Sequence, residues 1–212
     1  MRRSLSRALA AALPAALIAA CAGAGAARPA AEPAPAPAPS GAPVRATVNA
    51  ADVHFMSGMI PHHAQAVLIA GWAPSHGARA DIQRLAERIV VAQKDEIELV
   101  QNWLRERGQP VPAANATHMT MSHGGMQHDM LMPGMLTEAE LKRLDAARGS
   151  EFDRLFLQAM IGHHKGAISM VDELETADGS RQDETVFRFS QDVYADQTTE
   201  IRVMQQLLAT IK

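Results

Sequence analysis

The chain has a single cysteine, Cys21, and so can form no internal disulfide and has no thiolate in its folded part to offer a metal. Any soft-metal chemistry must use thioethers and imidazoles. Aromatics are equally scarce, at 4% of 212 residues, and clusters of β-branched residues are few, which speaks against a sheet-based core. Charge of either sign is not in excess: the formal net charge is −3, so nucleic acid is not an expected partner. No apolar run outside the N-terminus approaches the length of a membrane span. Nor is there a Ser-centred nucleophile motif or a phosphate-cradling glycine loop, and the chain is read as a non-enzyme.

The N-terminus is built for export. Arg2, Arg3 and Arg7 precede an Ala/Leu-rich stretch ending in Ile18-Ala19-Ala20 before Cys21. Residues 1–20 read as a signal peptide and Cys21 as a lipidated first residue that anchors the chain to a membrane of the cell envelope. The alternative is ordinary secretion, with cleavage at one of the Ala-rich sites between Ala22 and Ala27. Residues 21–48, rich in Ala-Pro repeats, favour an extended conformation and read as a tether.

What is abundant is methionine, with 12 residues, and histidine, with nine, and their placement is repeated. Phe55 to Ala66 aligns with Phe156 to Ala167, bringing Met59-Ile60-Pro61-His62-His63 onto Met160-Ile161-Gly162-His163-His164, with Asp52 and Asp153 in register. Gln93-x-x-Glu96-Ile97 then matches Gln197-x-x-Glu200-Ile201. Each half is therefore a pair of amphipathic helices joined by a loop, 73–78 in one and 176–182 in the other. Residues 49–212 read as one all-α domain, a four-helix bundle of halves 49–107 and 137–212 joined by a Met/His-rich loop, 108–136. Asn49 with Asp52, Ser180 with Asp183, and Thr137 with Glu140 supply cap spacings, and a short extra helix over 137–148 ends at a break at Gly149.

Positions three and four apart share a helix face, so Met59 stands with His62 and His63, and Met160 with His163 and His164. Thioethers suit Cu(I) and imidazoles suit copper in either oxidation state, so the mixed set points to a copper ion. Pro61 and Gly162, helix-disfavouring residues at equivalent positions, predict a local distortion that re-aims the histidines. The loop adds His118, Met119, Met121, His123, Met126, His128, Met130, Met132 and Met135; no helical or strand periodicity is assigned to it, and soft-metal capture accounts for its composition. Gln93, Glu96, Gln197 and Glu200 either face the histidine layer or solvate a surface. His54 and Met56 align with Leu155 and Leu157, so a site using them is asymmetric, and His76 carries no strong signal.

The repeated Met-Ile-x-His-His, the two Gln-x-x-Glu-Ile segments, and Met132-Pro133-Gly134-Met135 before Thr137 resemble the CopM-like family, domain of unknown function 305, over about residues 50–210. The resemblance implies a ferritin-like fold, an exported protein and copper binding through Met and His that supports copper tolerance, with transfer to a protein partner. It marks Met59, His62, His63, Met160, His163 and His164 as ligands. Two competing functions stand beside it. A ferritin-like metal oxidase would need the Glu-x-x-His pairs of di-iron bundles, which are absent. An envelope scaffold would leave the histidines incidental.

Overall fold

The computed structural model describes residues 48–123 and 126–212, without the side chains of 120–129; the signal peptide, Cys21 and nearly all of the tether lie outside the described residues. Among the described residues there are five helices: α1 (Ala50–Gly71), α2 (Ala80–Glu106), α3 (Glu138–Ala146), α4 (Gly149–Thr176) and α5 (Glu184–Leu208). The long ones pair as α1 with α2 and α4 with α5, and the two hairpins meet through α1 and α4. Among the described residues no helix is long and apolar enough to cross a membrane.

Local chemistry fixes the helix ends. The Asn49 side chain accepts from the Ala51 N–H, and Thr137 forms a reciprocal capping box with Glu140. Asp183 caps α5 by accepting from the amides of Thr185 and Val186; Ser180, paired with it in the sequence reading, instead donates its hydroxyl to the Leu174 carbonyl at the end of α4. The duplicated aspartates are ties between the hairpins and not caps. Asp52 of α1 accepts from the Arg181 amide ahead of α5, and Asp153 of α4 accepts from the Arg79 amide ahead of α2. Each half thus holds the other half's loop. Arg181 sits at φ +55°, a left-handed conformation that this bond helps to hold. His76 also has a structural place: its Nε2 meets Asp145, its Nδ1 meets the Ser75 hydroxyl, and its ring packs on Phe152.

Neither Pro61 nor Gly162 ends its helix. Both α1 and α4 run as continuous α-helix through these positions, because packing along their buried length outweighs the missing amide of Pro61 and the weak propensity of Gly162.

The connecting loop is more ordered than its composition suggested. It contains an antiparallel hairpin of β1 (Met119–His123) and β2 (Met126–Met130), with Met119 opposite Met130, Met121 opposite His128 and His123 opposite Met126. Beyond it, Met132 and Met135 are buried, at 6% and 8% exposure, so packing does account for these two. Residues 132–136 form a strap across α1 and α4. Gln65 grips the strap with both ends of its amide, donating to the Leu136 carbonyl (2.9 Å) and accepting from the Leu136 amide (2.7 Å). Gly166 makes the close approach possible, since a Cβ there would lie 1.9 Å from the Pro133 carbonyl oxygen.

Candidate metal centre

The apolar core is interrupted at one level. Toward one end lies a cluster built around Phe55, Met59, Ile97, Met170 and Phe189; toward the other, one built around Ile69, Leu85, Ile89, Phe156, Met160 and Met204. Between them each long helix contributes polar residues: His62 and His63 from α1, Gln93 and Glu96 from α2, His163 and His164 from α4, Gln197 and Glu200 from α5. All four histidines are 0% exposed and both glutamines 3%. Met59 and Met160, also 0% exposed, stand on opposite sides of this layer, one in each apolar cluster.

Neighbours on a helix point about 100° apart, and the two members of each His-His pair accordingly address different partners. His62 and His163 face each other across the α1–α4 contact with ring centroids 3.9 Å apart. His63 turns toward α2, where its Nε2 lies 2.7 Å from Glu96 Oε2, and His164 turns toward α5, where its Nε2 lies 2.6 Å from Glu200 Oε2. The His164 contact is a well-formed hydrogen bond. The His63 contact has the distance of one without the alignment, and is an ion-pair-length approach. Glu96 and Glu200 therefore face the histidine layer, and Gln93 and Gln197, one turn before them, are buried and do not solvate a surface.

His62 Nε2 lies 3.1 Å from the Pro133 carbonyl of the strap, to which it can only donate. Its Nδ1 is then a bare lone pair, buried and without a partner, and Nδ1 of His164 is likewise buried and unpartnered. A histidine whose one nitrogen donates to an oxygen while the other is left open is arranged as metal-binding histidines are. Eight buried side-chain polar atoms lack a hydrogen-bond partner among the described residues, and all belong to His62, His63, His163, His164, Gln93 and Gln197. Each such atom costs about 1–3 kcal/mol, so concentrating them in one layer is a local defect of the core that calls for a ligand.

The electrostatics keep the facing imidazoles of His62 and His163 neutral. Burial, then the neighbouring His63, pushes the His62 pKa down to about 3, against the opposing bond to Pro133. Burial and the surrounding histidines hold His163 well below its ordinary range. On the α2–α5 side the carboxylates gather: Asp196 is raised first by burial and then by Glu96, Asp192 and Glu200. Among the described residues no three His, Cys, Asp or Glu side chains already converge on one point. The donors are paired, and a complete set within this layer must draw on the flanking thioethers or on side-chain adjustment. That condition favours a soft ion over one demanding four hard ligands.

The loop residues divide. Met119 is half-buried against the first apolar cluster, His118 and Met130 are exposed, and Met121, His123, Met126 and His128 are placed only as strand positions. Met135 Sδ accepts from the Met132 amide at 3.3 Å, which occupies part of its donor capacity.

Comparisons with known proteins agree with the fold. A DUF305 fragment from Deinococcus radiodurans is 29% identical with a TM-score of 0.62, over 76% of this chain and 97% of that one. CopM in its Cu(II)-bound form is 30% identical with a TM-score of 0.56, over 74% of this chain and 95% of CopM, and structures of CopM with Cu(I) and with Ag superpose similarly. An uncharacterized protein, L153, of Acanthamoeba polyphaga mimivirus is 34% identical over 56 residues, 26% of this chain, and the match spans only 37% of that relative's length. The sequence profile of the domain of unknown function DUF305 matches residues 52–208, and the chain belongs to the DUF305 family.

Proposed function

We propose that this chain is a non-enzymatic copper-binding protein of the cell envelope, which buffers, sequesters or hands on copper and so supports copper tolerance. The observation that carries this reading is the polar layer itself, where every unpartnered buried side-chain polar atom of the described residues falls on six residues of one level of the bundle. The chemistry of the donors names the ion. Buried imidazoles held by Glu200 and Pro133, with thioethers of Met59 and Met160 above and below, suit Cu(I), and the same imidazoles accept Cu(II). Similarity to CopM, which has been crystallised with Cu(I), Cu(II) and Ag, supports the same choice.

Charge is balanced without a buried excess. A monovalent ion among neutral ligands carries one positive charge, and the half-buried carboxylates of Glu96 and Glu200 stand behind His63 and His164 to offset it. The carboxylates around Asp196 draw cations to the α2–α5 side, while the strap covers the α1–α4 side. The leader ending at Cys21 supports an envelope location with a lipid anchor, and the exposed end of the Met/His hairpin suits exchange with a copper-transfer partner.

Anaerobic Cu(I) titration against a competing chelator tests the reading. The chain should lose its tightest binding when Met59, His62, His63, Met160, His163 and His164 are replaced by Ala. Unchanged binding in that variant would place the copper outside the histidine layer. The two carboxylates in contact with histidine are the observation that favours the second reading, a metal oxidase. It predicts catalytic oxygen consumption with Cu(I) or Fe(II), which a storage protein does not sustain.

A further inference from the structure

At the end of the bundle where α1 begins and α4 finishes, a cavity of about 90 Å³ is lined by His54, Phe55, Met132, Met170, Glu173 and Leu174, with small residues completing the wall. Three of these are soft-metal ligands from three separate elements: an imidazole of α1, a thioether of the strap and a thioether of α4. We propose that His54, Met132 and Met170 form a second binding site for a soft monovalent ion, Cu(I) or Ag(I), distinct from the buried histidine layer.

Three observations carry this. First, the two thioethers converge over Gly58. A Cβ on that residue would stand 2.8 Å from the Met132 methyl, 3.4 Å from its sulfur and 3.3 Å from the Met170 methyl. The glycine, in the middle of a helix where its propensity is poor, is what gives both methionine ends their room. His54 lies one turn before Gly58 on the same face of α1. Second, the donors are available. His54 is exposed and its ring makes no hydrogen bond or ion pair among the described residues, while Met132 and Met170 are 6% and 4% exposed. The exposed Glu173 carboxylate at the rim supplies a negative charge beside an incoming cation. Two thioethers and one imidazole are a set that favours Cu(I) over zinc or iron.

Third, the duplication provides an internal control. In the other half the positions of His54, Gly58 and Met170 are taken by Leu155, Ala159 and Ile69. The fold is served there by plain apolar packing, so the imidazole, the gap and the thioether are not requirements of the helix pairing. They occur together only where the strap brings Met132.

The test uses the full chain with Ag(I) and Cu(I) as probes. Methionine methyl signals are followed by NMR during Ag(I) addition, with Met132→Leu and Met170→Leu variants assigning them. The Met132 and Met170 methyls and the His54 ring signals should shift together. The count of bound Cu(I) under a competing chelator should fall by one in a His54→Leu, Met170→Ile variant, which copies the other half. The same signals should still shift in the variant lacking the ligands of the buried layer. That result separates the two sites, because failure of the layer leaves this one intact. If the Met132 and Met170 methyls stay unmoved at saturating Ag(I), or if the double variant keeps the full count, the site does not exist. The wild-type methyl titration decides the matter even if the double variant fails to fold.

Discussion

The four histidines show how adjacent residues divide their work. Sequence spacing put them on two helices but could not say which of each pair points inward, because a 100° step allows either. All four are buried, since each pair straddles two contacts: the first histidine faces the other hairpin and the second faces its own partner helix. The role of Glu96 and Glu200 follows from this and was only half legible, as Gln-x-x-Glu spacing suits a solvated surface equally well. Replacing either by Gln should keep the fold and weaken Cu(I) binding by about 10–100-fold, read by chelator competition beside a thermal melt. An acid response belongs to the same residues. His62 and His163 have folded-state pKa values below the unfolded value of about 6.5, so the unfolded chain takes up protons first as pH falls. Their neutral burial thus leaves stability at its full value above about pH 6.5 and lowers it progressively toward the folded-state value. By pH 5 the loss from His62 is on the order of 2 kcal/mol, and His163 acts in the same direction. Urea denaturation at pH 7.5 and 5 checks this, and a His62→Asn, His163→Asn variant should show a shallower dependence.

At the level of elements, the helix positions were readable because caps and apolar period agreed, as at Asn49 and the Thr137–Glu140 box. The hairpin was missed although its signal is in the sequence. Met119, Met121 and His123, then Met126, His128 and Met130, alternate with other residues about a Gly-Gly pair, and the register pairs Met119 with Met130, Met121 with His128 and His123 with Met126. Composition masked the period. The strap was illegible for a different reason: the close approach of Pro133 to Gly166 depends on tertiary packing, and nothing local announces it. Two glycine substitutions separate expectation from structure. Gly166→Ala forces backbone apart and should destabilise by about 1–3 kcal/mol while loosening the strap. Gly162→Ala meets open space and should be neutral or stabilising by up to about 1 kcal/mol, contrary to a special role for that glycine. Chemical denaturation of the two variants distinguishes them.

For the whole molecule, the duplication was the most informative feature of the sequence. It predicted the bundle and put the two His-His pairs at equivalent positions, yet the register of Asp52 with Asp153 did not announce that they tie each hairpin to the loop of the other. Because α1 starts near the end of α4, these ties sit at opposite ends of the bundle. Asp52→Ala and Asp153→Ala should each cost about 1–3 kcal/mol, and their effects should add in the double variant, as denaturation midpoints will show. Two reciprocal ties, the Gln65 grip on the strap and two apolar clusters hold a layer that is itself unfavourable to fold around. Both halves contribute to that layer, which supports the metal-binding reading proposed above. The most direct test is anomalous diffraction at the copper edge from crystals of the Cu(I)-loaded chain. The account predicts a peak inside the bundle within bonding distance of an imidazole nitrogen of His62, His63, His163 or His164. Copper found only at the hairpin or at Met132, with the layer empty, would contradict it.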